Sequence, residues 1–520
     1  MIESYYPSVD ELVAEQRARK IYLMILLILA VIVVFGTIGV VIYFYPGQTP
    51  FVAFLGGLSV FLLLALPVII WNNPRYGLYT LFIGAILFGG SAGADNKAVL
   101  TTYVPFWLNI STASKITGYK LSFIPFSFAE FLMVLTVLCW LIRAIAKREF
   151  RLQAGAGLYL WIAYLVVAAM GWVYGVTTGG DTTMALYEVR AQVHFFIVYL
   201  LAANLITERK HVVWLLWIAV FAVGTQGLFG TYAYITARRV TEAGIMAHDD
   251  SLSMNMLFFL LFLAIISRFN RPLMFWSLLL TPFAVVAALA NQRRAGIAAF
   301  IIAFVPLIPM LLVHMKERKL QVIRFAVFFA LASAVYLPVA WTADGPWALP
   351  ARAIRSRTEP NARDAASNAY RAYEDANLKK TRDLRPWLGV GYGKPLAQYH
   401  ALPKVTTDFV MYMPHNSILW VWMRLGHLGF FIFMMFIAVI LIRGNQILHD
   451  VHDMTLKVAG ILGILYLLML FTFASYDLQL VNPRQMVITA VLLGVLSVLD
   501  RIDARDRGED KEPVPAAVGT

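Results

Sequence analysis

Apolar runs of about twenty residues, separated by short polar turns, recur from one end of this chain to the other. Each is long enough to cross a bilayer as a helix. They fall near 21–44, 51–71, 76–91, 124–142, 156–174, 190–206, 212–235, 252–267, 273–290, 295–314, 321–341, 415–442, 457–475 and 484–499, the third being short. The pattern breaks once, over 342–414, where some seventy mostly polar residues separate two spans. Inside that break, 361–380 reads as a helix with Ala365, Ala366, Ala369, Tyr370, Tyr373 and Ala376 along one side. Asn361 is placed to cap it, and Lys379 and Lys380 suit its C-terminal dipole. The pattern predicts an all-α polytopic membrane protein of about 14 transmembrane helices, within a range of 12–14. Spans 1–11 occupy 1–341, a long loop with short helices 342–414, and spans 12–14 415–500, with a flexible tail over 501–520.

Composition agrees: 60% of the 520 residues are hydrophobic and only 14% charged, which excludes an ordinary soluble domain. The first run follows Arg17, Arg19 and Lys20 but is too long for a signal peptide core and lacks a small-residue cleavage site, so it reads as a retained helix. The single cysteine, Cys139, lies within a span and supports neither a disulfide nor a cysteine-based metal site. The net charge of +13 would suit nucleic acid, but its distribution argues otherwise. With the N-terminus inside, the inner segments hold 22 Lys and Arg and the short outer ones 9. The long loop holds another 11 and, being long, reports poorly on topology. Both termini are therefore expected in the cytoplasm and the loop outside. The cations set topology, membrane lipids are the surrounding partner, and nucleic acid is not expected.

Several cations sit on the side where the positive-inside tendency disfavours them. Arg293-Arg294 lies in a turn before a span, Arg238-Arg239 ends another, and Arg190 begins a third beside Glu188. Each reads either as an interface arginine snorkelling to lipid or as part of an anion site, since guanidinium forks bind phosphate bidentately. For Arg293 the lipid-facing reading is preferred. His415 opens a span on the same face and is either a local hydrogen-bonding residue or a general base, the nearby arginines keeping its imidazole neutral. Arg424, nine residues on, points away from His415, shares a face with His427, and reads as a structural charge with a buried partner. Asp477, in the last outer turn, is either a solvated loop residue or an acid able to orient an imidazole. In 385–393, Gly389, Gly391 and Gly393 permit a tight turn or close backbone approach to a ligand. A second outer segment, 92–122, carries aromatics, Trp107 among them, that suit the interface belt.

Taken together, these residues resemble the bacterial O-antigen ligase and O-antigen polymerase superfamily. The resemblance is carried by Arg238-Arg239 with the stretch through His248, Asp249, Asp250 and Asn255, then by Arg293-Arg294-Ala295-Gly296. The turn Pro386–Gly393 and His415-Asn416, with Gly426 and Gly429 beyond, complete it. It extends over roughly 185–500. It implies an inner-membrane, metal-independent, inverting glycosyltransferase without a cofactor, its active site facing the periplasm. The donor would be an undecaprenyl-diphosphate-linked glycan and the acceptor lipid A–core or another glycan. His415 would be the base, Arg294, Arg239 and Arg190 the diphosphate ligands, and Asn416 and Asp477 supporting residues, with the 342–414 loop as a lid. A polymerase of the same superfamily and a protein O-oligosaccharyltransferase share this chemistry and differ in acceptor. A fourteen-helix lipid-linked glycan flippase is the rival of another class, but it predicts repeated halves and polar residues at mid-membrane. Two features depart from the family pattern: Arg424 stands where many relatives carry an acid, and fourteen spans exceed the twelve or so of ligases.

Overall fold

A computed structural model describes residues 65–89, 106–109, 126–148, 152–153, 155–236, 245–343, 345–402 and 411–509. Within these the apolar runs become helices close to their expected places. A short α1 (Arg75–Leu87) is followed by α2 (Phe128–Ala146), α3 (Leu158–Thr177), α4 (Thr182–Leu205), α5 (Arg209–Thr236), α6 (Asp250–Ser267) and α7 (Arg271–Ala290). After them come α8 (Arg294–His314), α9 (Lys319–Ala340), α10 (Leu349–Arg355) and α11 (Ala362–Asp383). Then follow α12 (Ser417–Asp450), α13 (Met454–Ala474), α14 (Pro483–Leu496) and α15 (Leu499–Asp506). Ten helices among the described residues are long and apolar enough to cross a membrane, or 11 if the bent pair α14 and α15 is one span. The span predicted over 21–44, and most of that over 51–71, lie outside the described residues. The third prediction becomes the 13-residue α1, shorter than a crossing.

Caps explain several helix starts. Asp181, Asn270, Asn416 and Asp453 each accept a hydrogen bond from a main-chain N–H in the first turn of the helix they precede. Ser127 and Glu130 form a reciprocal capping box on α2. Burial then sorts the bundle. α6 and α13 bury 83% and 78% of their span windows and form its centre, whereas α9 buries 6%. Phe328, Leu331, Val335 and Val339 of α9 are exposed, as expected of a helix solvated by lipid rather than water.

The 342–414 segment is anchored to the bundle rather than loosely laid on it. α12 breaks at Gly426, whose backbone (φ 64, ψ −165) no helix allows. The break frees the carbonyls of Met423 and Arg424 and the amides of His427 and Leu428. The stretch from Pro386 to Gly391 satisfies all four, with N···O distances of 2.8–3.2 Å. Gly389, Gly391 and Gly393 all have positive φ, and a Cβ on Gly391 would lie 2.7 Å from the Gly171 carbonyl oxygen of α3. Of the two readings open for these glycines, the structure favours close approach, to neighbouring helices rather than to a ligand. Arg424, fully buried, closes the joint. It pairs with Glu188 of α4 at 2.6 Å and donates to the Gly391 and Tyr412 carbonyls. Arg424 thus has the structural role and the buried partner expected of it. Its shared face with His427 is not observed, because the break at Gly426 turns His427 outward, where its imidazole meets the Pro386 carbonyl.

Three further differences follow from tertiary contacts. Trp107 is buried and donates to the Gly84 carbonyl of α1 at 3.2 Å, instead of standing in an interface belt. The start of the 501–520 tail is ordered as part of α15: Ile502 is buried, and Asp503 accepts from the amides of His452 and Asp453. Finally, α11 forms with Asn361 as its cap, but Ala365, Ala366, Ala369 and Tyr373 are exposed. Its buried side is Glu374, Asn377, Leu378 and Thr381.

Candidate active site

One end of the bundle collects the start of α8, the residues before α6 and α12, and the turn between α13 and α14, with α10 and α11 laid across them. Between these elements lies a polar cleft of two adjoining chambers, of about 330 Å³ and 350 Å³. His415 borders both, as do Arg294, Arg371 and Tyr476.

α11 holds His415 through consecutive carboxylates. Glu374, almost fully buried, accepts from the His415 main-chain N–H at 3.1 Å and from Nδ1 at 3.2 Å. Asp375 accepts from the Asn416 side-chain amide at 3.2 Å, while Asn416 caps α12 through Leu419 N–H at 3.1 Å. The Tyr370 ring and the imidazole pack nearly perpendicular, with centroids 5.7 Å apart. With Nδ1 engaged, Nε2 is the nitrogen able to accept a proton. Burial disfavours the imidazolium, but the hydrogen bond and charge of Glu374, helped by Asp477, outweigh it and raise the His415 pKa; Arg371 opposes weakly. This reverses the expectation that arginines set the protonation of His415: the carboxylate in contact dominates because it is closer and buried.

More arginines gather here than the sequence pattern suggests. Arg294 reaches Asp364 of α11 at 3.3 Å. Arg293, expected to face lipid, lines the cleft instead. Burial pushes its guanidinium down to about 10, with Asp477 pulling up and Arg363 and Arg371 adding to the fall. Arg352 and Arg355 come from α10, and Arg363 and Arg371 from α11. Asp477 is no solvated loop acid: its side chain is 14% exposed and its carboxylate meets His248 Nδ1 at 3.1 Å. The imidazole it holds is thus that of His248, and it acts on His415 only through its charge.

One predicted diphosphate ligand, Arg190, is not brought to this cleft. Arg190 is paired with Glu130 of α2, rather than with its neighbour Glu188, and donates to Asn109 at 2.6 Å; it is not among the residues lining the cleft. Arg238 and Arg239 lie outside the described residues. Glu374, Arg363, Arg371, Arg352 and Arg355 are site residues that the sequence pattern did not single out. Arg363, Ser367, Arg371 and Glu374 recur at helical spacing and mark a polar stripe on α11, which attention to the apolar side overlooks.

Fold and site define an all-α polytopic membrane protein with an arginine-lined, histidine-bearing cleft at one end of its bundle. Residues 279–434 match the family model described as O-antigen ligase, and the match supports the O-antigen ligase and polymerase superfamily. The match also supports a membrane glycosyltransferase-like role in polysaccharide biosynthesis. The matched stretch holds Arg293, Arg294, the arginines of α10 and α11, Glu374 and His415. It is narrower than the 185–500 over which the sequence resemblance was drawn, and leaves out His248 and Asp477. No curated protein matches the chain.

Proposed function

We propose that the protein transfers a glycan from an undecaprenyl-diphosphate donor to an acceptor hydroxyl at the periplasmic face of the bacterial inner membrane, as an O-antigen ligase-type enzyme. The observation that carries this reading is His415, held through Nδ1 by a buried carboxylate and sharing its cleft with Arg294 and Arg371. The diphosphate binds among Arg294, Arg293 and Arg371, where guanidinium groups offer forked donors and stay charged. Binding displaces Asp364 from Arg294. Arg190, tied to Glu130, is left out of this role; Arg239 remains a proposed contact.

In the transfer step the acceptor oxygen attacks the anomeric carbon from the face opposite the diphosphate. The new carbon–oxygen bond forms as the bond to phosphate breaks, with inversion. The acceptor proton passes to His415 Nε2, and the bonding pair leaves with undecaprenyl diphosphate. Glu374 stabilises the imidazolium, and the arginines stabilise the charge growing on the leaving group. α10 and α11 serve as a cover that keeps water from the anomeric carbon. The outer placement rests on the distribution of Lys and Arg, and it suits a lipid-linked donor, since nucleotide sugars are cytoplasmic.

The test is reconstitution with undecaprenyl-diphosphate oligosaccharide and candidate acceptors, followed by product analysis. Glycosylated lipid A–core marks a ligase, lengthened lipid-linked chains a polymerase, and glycosylated protein an oligosaccharyltransferase. His415→Ala is expected to lower transfer by roughly 10²–10⁴-fold, the usual worth of a general base. Full activity in that variant, or lipid translocation without any transfer, refutes the reading.

A further inference from the structure

The two chambers that meet at His415 differ in the sign of what they add. The first contributes Arg293, Arg352, Arg355 and Arg363 against Glu359, Asp364 and Asp477. The second contributes one arginine, Arg357, against Glu374 and Asp375. Arg357 is already engaged: it donates to the Tyr476 hydroxyl and lies 5.3 Å from the centre of that ring. The rest of the second chamber is Asn368, Asn416 and Ser475 over small apolar positions at Ala298, Ala353 and Ala372.

We infer that the second chamber is the acceptor subsite and that it selects an uncharged sugar, with Asp375 and Asn416 binding ring hydroxyls. This rests on the glycosyl-transfer reading above and goes beyond it by naming the acceptor class. Carboxylate and amide groups together accept from and donate to hydroxyls, which a phosphate, having no proton to give, cannot use in the same way. With Arg294 and Arg371, which border both chambers, taken up by the diphosphate, a phosphate placed there meets two carboxylates and one further arginine, Arg357, already stacked on Tyr476. The alanines leave room for the flat apolar face of a pyranose beside Tyr476. The position fits the chemistry as well. His415 stands between the chambers, so a hydroxyl in the second reaches the base while the diphosphate lies across it among the arginines.

The experiment uses the full chain in proteoliposomes with undecaprenyl-diphosphate oligosaccharide as donor. Two synthetic acceptors are compared: one ending in an unmodified hexose, and the same molecule with a phosphomonoester beside the accepting hydroxyl. The wild type is expected to prefer the unmodified acceptor at least tenfold in kcat/KM. Asp375→Ala is expected to raise the acceptor KM about tenfold, while affinity for undecaprenyl diphosphate changes less than twofold. Asp375→Asn, which keeps a hydrogen-bonding group of the same size, recovers part of the loss and covers the case in which the alanine variant folds poorly. Preference for the phosphorylated acceptor, or an Asp375→Asn enzyme weakened only toward the donor, overturns the inference and leaves glycosyl transfer intact. Transfer to neither acceptor, with donor bound, overturns the glycosyl-transfer reading itself.

Discussion

Replacing Glu374 with Gln removes one negative charge from a buried site and leaves the shape of the side chain almost unchanged. In the wild type that charge faces the His415 ring at 3.2 Å and its main-chain N–H at 3.1 Å. Two unit charges about 4 Å apart attract by about 4 kcal/mol at an effective dielectric near 20. Much of that is offset by desolvation, and hydrogen bonds to charged groups are worth a net ~1.5–3 kcal/mol. Taking about 2 kcal/mol for the part lost when the imidazolium forms, transfer slows about 30-fold. The pH dependence adds a second reading. His415 works as a base only when neutral, so kcat/KM rises with pH through its pKa. Glu374 raises that pKa, and in the Gln variant the acid limb therefore moves to lower pH while the plateau falls. The assay is the pH profile of glycan transfer in proteoliposomes, wild type against variant. A merely structural Glu374 lowers the plateau without moving the limb. An unmoved limb, or a loss under about threefold, refutes the reasoning.

Arg294→Ala and Arg371→Ala each remove a charge-assisted contact of ~1.5–3 kcal/mol. Affinity for undecaprenyl diphosphate, measured by titration, should fall about ten- to a hundredfold in each, with Lys restoring only part because it lacks the fork. Unchanged affinity in both variants removes these residues from the diphosphate site. Arg424→Ala leaves Glu188 buried without its partner and is expected to destabilise the protein by about 3–5 kcal/mol, read as a lower Tm in detergent. Replacing both residues with apolar ones of similar size should recover most of that Tm. If it does not, the hydrogen bonds from Arg424 to the Gly391 and Tyr412 carbonyls matter more than the ion pair.

Much of the site was legible in the chain, but unevenly. His415 and Arg294 stand out because each opens an apolar run, where a charge or imidazole must sit at a membrane surface. Arg190 satisfied the same criterion and was taken up by Glu130, sixty residues away. Nothing local separates the two cases, since both are arginines at the start of an apolar run, although Arg294 begins α8 and Arg190 lies inside α4. Glu374 was hidden for another reason. A carboxylate on an amphipathic helix reads as solvated, and only the docking of α11 by its polar side against α12 makes it a buried partner.

What the sequence determined by itself is the all-α membrane architecture. A bilayer imposes a length and an apolar composition on every crossing, so the spans after the first three were found from hydrophobicity alone, nine of the eleven within a few residues, while α4 begins eight residues earlier than expected and α12 ends eight residues later. What only the tertiary structure decided is which polar groups meet. The break of α12 at Gly426, the 386–393 turn seated against α3, and the inward face of α11 each depend on contacts between residues far apart in the chain. Hydrogen bonds and ion pairs act over a few ångströms, and no periodicity in the sequence records which helix ends are brought that close.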